Sequence, residues 1–354
     1  MFECRWQRRF DLNFRTAPET VLCSLGRQAL VALIFGTAIA TGQAAPLDDL
    51  RALAQLPRVD VAQLKAGEVL SQRGPLGDFS RGIYIESCYY IHAPIEKVGN
   101  GLLHWNPVQH REQEVRLYQE YKLSAVRGAF ERLQLNRTIR EDGWLLTQTA
   151  HALETGQPGD LHLTSEELTL LRQKSISPSQ AWQEVLRRRS EALAEGGLGA
   201  VPAYGSDKSI SPRSEFRGLL SIAPQAARHF RPLTEAQPLV AGGKPPGEAV
   251  AYWEATKVRD HTTLQLGLFA ARKSPDSWQL VDCVYYPSDT YFMALDLFQL
   301  WPLDGGTLVW QVGFVSAPFR SYLGGVDRYV AGKQMTQETL NTIKAFRADL
   351  EQRR

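Results

Sequence analysis

The sequence predicts an α+β fold: seven antiparallel strands, a long C-terminal helix, and one helical insertion between the second and third strands. Three observations carry that prediction. Five strand-like runs, at residues 249–258, 262–272, 277–287, 291–302 and 306–317, follow one another with only short turn signals between them. Connections that short force neighbouring strands to run antiparallel. After Pro318 the period changes, and Leu340, Ile343, Phe346 and Leu350 recur every three or four residues, which is one apolar stripe on a helix. Two further strand-like runs, 79–92 and 112–123, stand upstream and are separated from the other five by residues 124–248.

Taken in order, the chain opens with a segment that reads as an export signal. Arg5, Arg8, Arg9, Arg15 and Arg27 precede an apolar run at 29–40, and Gly42-Gln43-Ala44 supplies the small-x-small exit. The expectation is an exported, periplasmic or secreted protein cleaved after Ala44. The apolar run is shorter than the roughly 20 residues a membrane span needs. Residues 45–78 then form an N-terminal arm with one short helix near 47–56 and a turn at Gly74-Pro75.

The run 79–92 (FSRGIYIESCYYIH) is dense in aromatic and β-branched residues. Pro94 ends it and suits the first turn of a helix over 94–104, weakened by Gly99 and Gly101. The insertion, 124–248, is helical at first: Val126, Phe130 and Leu133 share a face, and Thr164 with Glu167 forms a capping box. Ser177-Pro178-Ser179-Gln180 starts another helix, which should stop at Gly196-Gly197. Residues 196–248 hold eight glycines and seven prolines, so a long irregular segment is expected there.

With 354 residues, 44% hydrophobic, 22% charged and four cysteines, the chain is neither disordered, fibrous, disulfide-dense nor polytopic. A formal charge of +2 argues against nucleic acid as a partner. Removing residues 1–44 leaves equal numbers of basic and acidic side chains. Cys88 and Cys283 lie in apolar runs and read as two separate buried thiols.

The text Cys88-Tyr89-Tyr90-Ile91-His92-Ala93-Pro94-Ile95-Glu96-Lys97-Val98, with Trp105-Asn106-Pro107 after it, resembles the START-like (SRPBCC) superfamily. There a strand ends in Ala-Pro before a Glu-Lys-Val helix. The resemblance covers 79–123 and 249–352 and looks like an exported bacterial member with a helical insertion. It implies the helix-grip fold, a curved seven-stranded sheet around the C-terminal helix, with 79–123 and 249–354 as the two parts of one domain. A curved sheet on a single helix cannot be filled by that helix alone, so an apolar hollow is expected.

Candidate lining residues are Trp253, Tyr285, Tyr291, Trp301, Trp310 and Phe314, joined by Asp282 and Asp296, which interrupt apolar strands. Each aromatic read alone is more readily a core residue, so the cavity expectation rests on the fold. The expected ligand is a hydrophobic small molecule or lipid, with no cofactor. One alternative is a cyclase- or hydrolase-like enzyme using Asp282, Asp296 or Glu254 as acid–base groups. Another is a protein-interaction module through the insertion. Arg187-Arg188-Arg189 reads as a solvated helix face or a contact with a membrane surface. His104 and His110, six apart across Pro107, do not make a metal-ligand pattern, and no catalytic or metal residue is assigned.

Overall fold

In a computed structural model of the chain, residues 44–56, 59–174, 176–205, 209–243, 246–319 and 325–352 are described. The signal segment expected over 1–44 lies outside them, apart from Ala44, which opens helix α1 (Ala44–Leu53). One antiparallel sheet organises the rest. Its strands are β1 (Val69–Arg73), β2 (Gly82–Ile91), β3 (Val115–Tyr121), β4 (Glu248–Val258), β5 (His261–Ser274), β6 (Ser277–Pro287), β7 (Met293–Leu303) and β8 (Gly306–Ser316), in spatial order β1-β2-β8-β7-β6-β5-β4-β3. The five late strands form a meander, as their short turns require.

The sheet has eight strands rather than the expected seven. The addition is β1, inside the arm that the sequence left as helix and turn, and it pairs with β2 from Val69↔Tyr89 to Arg73↔Ile85. Val-Leu-Ser-Gln-Arg is too short and too polar to announce itself. An edge strand takes its hydrogen bonds from its neighbour and needs little pattern of its own.

Both faces of the sheet are covered, by different parts of the chain. On one face lie α3 (Ile95–Leu103) and the long α10 (Val326–Gln352). There Ile343, Phe346 and Leu350 of the anticipated stripe pack with Val98 of α3 and with Trp278, Leu280, Phe298 and Leu300 of the sheet. Gly99 is a close-packing position rather than a weak point, because a Cβ there would fall 2.1 Å from the Trp278 ring. α10 reaches both edges of the sheet. Arg73 of β1 donates to the Tyr329 carbonyl. Thr342 donates to Gln113, two residues ahead of β3, at 2.9 Å.

The opposite face carries the insertion: α4 (Arg140–Thr155), α5 (Ser165–Gln173), α6 (Pro178–Gly196), α7 (Pro212–Ser221), α8 (Pro224–His229) and α9 (Arg231–Thr234). Both anticipated capping boxes form, and α6 stops at Gly197 with φ 65°. Two expectations fail. Residues 126–133 are a run of turns, whose Val126, Phe130 and Leu133 are buried without being helical. The segment 196–248 is not irregular, since it contains three helices, each with a proline in its first turn. Those prolines start helices, where the missing N–H costs nothing.

Buried charges tie the insertion to the sheet. Asp142 accepts from Arg116, Thr262 and the Asn136 amide. Glu215 accepts from Arg81 and Ser316. Cys88 and Cys283 are free and buried, on strands with β8 and β7 between them. Strand spacing alone separates them by about 14 Å, beyond the reach of a disulfide. Among the described residues no helix is long and apolar enough to cross a membrane.

Candidate site on the helix-facing side of the sheet

Strand alternation sorts the sheet's side chains between its two faces. Trp278, Leu280, Phe298 and Leu300 belong to the α10 face, so Asp282 and Asp296 do too. Register puts these two carboxyls directly opposite each other on β6 and β7. Glu254 of β4 shares their face, as does Tyr252 two residues earlier.

Asp282 and Asp296 sit on central strands, each hydrogen-bonded to a neighbour on both sides, yet they are only half-buried. Their flanking residues Val281, Cys283, Leu295 and Leu297, on the other face, have no exposed surface. Exposure in mid-sheet can come only from space above the strands. We take that accessible space, near Met335 of α10 and Gly313 of β8, as the candidate hollow.

The carboxyls in this hollow are held towards their neutral form. Burial pushes Glu254 up to about 7 and Asp296 up to about 6. Burial also raises Asp282 well above the usual carboxylate range, with the Asp296 charge adding to it. Desolvation and like charge both disfavour the ionised form. No Lys or Arg pairs with any of the three among the described residues. Their partners are neutral: Tyr252 Oη donates to Asp282 at 2.8 Å, Gln311 Nε2 to Asp296 at 2.7 Å, and Thr256 Oγ1 to Glu254 at 2.9 Å.

Tyr252 crosses an entire strand to reach Asp282, and Gly267 of β5 makes that possible. A Cβ at Gly267 would lie 2.0 Å from the tyrosine ring. Gly267→Ala is therefore expected to push the phenol off Asp282 and to cost about 1–3 kcal/mol, the usual price of overpacking, read as a lowered midpoint in urea. Tyr118 flanks Tyr252 with ring centroids 5.5 Å apart. Tyr291 completes the group: burial, Glu254, Asp289 and Asp282 together raise its phenol well above the usual range.

The residues singled out from sequence divide between the two faces. Tyr291, Asp282 and Asp296 come together in the hollow. Trp253, Tyr285, Trp301, Trp310 and Phe314 instead belong to the core beneath the insertion. Trp253 donates to the Ala129 carbonyl at 2.8 Å, Trp310 packs on Phe230, and Phe314 stacks on Tyr84. The error has a physical source. Both faces are apolar because both are covered, so hydrophobic alternation does not say which face meets the helix. The residues that sequence reasoning missed are Tyr252, Tyr118 and Gly267. Tyr252 stands two positions from Glu254, a spacing that places both on one face.

The other polar residues noted in the sequence have partners in the structure. Arg189 is fully buried against Glu167, while Arg187 and Arg188 pair with Glu184. His104 lies 3.1 Å from Glu120, and His110 lies 2.8 Å from Asp349. Among the described residues no cluster of three or more His, Cys, Asp or Glu could hold a metal ion.

No protein-family model matches the chain. No curated protein matches it in sequence. Among solved structures, it is similar to Ara h 8.0201 at 14% identity, over 32% of this chain and 72% of that one, with a TM-score of 0.20. It is also similar to protein Ms6760 from Mycobacterium smegmatis at 19% identity, over 28% of this chain and 62% of that one, with a TM-score of 0.17.

Proposed function

We propose that this chain binds a largely apolar small molecule or lipid in the hollow between the sheet and α10. A hydrogen-bond-accepting group on the ligand would seat against Asp282 and Asp296. One observation carries the reading: half-buried carboxyls in mid-sheet that pair with no Lys or Arg among the described residues. A carboxyl kept neutral by its surroundings can donate its proton in a hydrogen bond. The apolar part of the ligand would lie towards Phe298 and Leu280, where burial is worth about 25 cal/mol per Å². In this reading the architecture is START-like, with the sheet gripping α10, and the protein is exported under its basic leader and apolar run. Contact of α10 with both sheet edges supports the grip.

The test is native mass spectrometry of the purified protein after incubation with a total lipid extract. A retained mass is expected for wild type and not for Ala294→Phe, which fills the hollow beside Asp296. Absence of any retained mass, or equal retention by the variant, contradicts the proposal.

The same Asp282–Asp296 pair favours one second reading, a cavity enzyme. Two adjacent carboxyls with raised pKa are suited to hold and return a proton. Conversion of the retained molecule to a product of different mass, abolished by Asp296→Asn while retention persists, would select it.

A further inference from the structure

A second cleft, apart from the sheet hollow, opens on the outer side of the insertion where the end of α6 meets α7, α8 and α9. Its volume is about 700 Å³, within the range of sites that take drug-sized molecules. Helical spacing builds its rim. Arg213 and Arg217, four apart on α7, face the cleft together with Arg228 of α8 and Arg231 of α9. One carboxylate, Glu235, lines it as well and stands 3.8 Å from Arg231.

Arg213, Arg217 and Arg228 are exposed and have no carboxylate partner among the described residues. Elsewhere in the chain Arg81, Arg116 and Arg187 each meet one. This local excess of positive charge is not a by-product of a basic protein, because the chain's formal charge is only +2. The floor is apolar. Phe216 and Leu239 form it, and Val240 at its lip is 40% exposed.

We propose that this cleft binds a single-chain amphiphilic anion, an aliphatic tail ending in a phosphate monoester. Guanidinium groups present planar forks of donors that match phosphate oxygens in pairs. Several converging arginines suit a head group with up to two negative charges, and the apolar floor suits the tail. The occupant is the free amphiphile rather than a membrane surface.

Calorimetric titration with decyl phosphate, below its micelle concentration and at low salt, tests this. Wild type is expected to bind one molecule in the cleft, much more tightly than inorganic phosphate and more tightly than the uncharged decyl maltoside. Arg213→Gln with Arg217→Gln should weaken decyl phosphate at least tenfold while the melting temperature stays unchanged, since both side chains are exposed. Val240→Glu should weaken it as well, and Ala294→Phe in the sheet hollow should not. Equal binding of decyl maltoside, an unaltered affinity in the arginine double variant, or binding only to vesicles of anionic phospholipid would overturn the assignment.

Discussion

Arg189→Met is expected to destabilise the fold by about 3–5 kcal/mol, the usual consequence of removing one partner from a buried ion pair. Arg189 has no exposed surface. Its Nε and Nη2 donate to the two oxygens of Glu167 at 2.9 and 2.8 Å. Its remaining donors reach the carbonyls of Pro202, His162 and Ala203, and the guanidinium lies 4.0 Å from the Tyr286 ring centre. Methionine would fill the volume but strip the buried Glu167 carboxylate of its cation, leaving it the Thr164 amide, and remove a donor from the carbonyls of Pro202, His162 and Ala203. Lost donors to buried acceptors are costly.

The neighbouring Arg188→Met provides the control. Arg188 is 39% exposed at its side chain and pairs with Glu184 in solvent, so its loss should cost less than about 1 kcal/mol. Combining Arg189→Met with Glu167→Met should recover part of the stability, because the stranded charge is then gone. Denaturant unfolding measures all three. A loss below about 1 kcal/mol for Arg189→Met would mean that α5 and α6 are not held together by this pair.

The second large effect concerns pH. In the folded chain Glu254 is raised from 4.5 to about 7, and Asp296 from 3.8 to about 6. Between the lower and upper values the folded state holds protons that the unfolded state has released. These two groups therefore make the ligand-free protein less stable as pH rises from about 4 to about 7, and Asp282, raised well above its usual range, adds to the loss. Asp296→Asn removes its share of the decline. It should raise stability at pH 8 by about 1–3 kcal/mol, the order set by a shift of that size.

Ligand binding should follow the same protons. The neutral carboxyls donate to the ligand and the ionised ones cannot, so affinity should fall at least tenfold between pH 5 and pH 8. An asparagine at 282 or 296 can still accept from Tyr252 or Gln311 through its carbonyl, and its amide still donates. The double variant Asp282→Asn/Asp296→Asn should therefore bind with nearly the same affinity at both pH values. Titration of an apolar fluorescent ligand at pH 5, 6, 7 and 8 measures this. An affinity independent of pH in wild type, or an unchanged slope in the double variant, would exclude these carboxyls from the site.

Much of the framework was legible in the sequence because it rests on local rules. Turns of two to four residues dictated the meander, and Thr164–Glu167 and Ser177–Gln180 marked two helix starts. The stripe at Ile343, Phe346 and Leu350 found the terminal helix. What the sequence hid depends on tertiary context. Strand β1 exists because β2 offers it an edge. Prolines at 212, 224 and 232 read equally as breakers or as first-turn residues until the surroundings decide.

The site divides in the same way. Asp282 and Asp296 stood out because a carboxyl in an apolar strand must find a special environment, whichever face it is on. The aromatic lining did not follow, since Trp253, Trp310 and Phe314 look the same in either core. Only the packing of the insertion separates the face that is filled from the face that retains space.

The most direct test of ligand binding on the α10 face is a crystal structure of the protein soaked with 8-bromooctan-1-ol, located by the anomalous signal of its bromine. The hydroxyl is expected beside Asp282 or Asp296, and the bromine on the α10 face of the sheet, towards Phe298. A hollow filled by protein side chains, or a bromine found beneath the insertion beside Trp310, would contradict it.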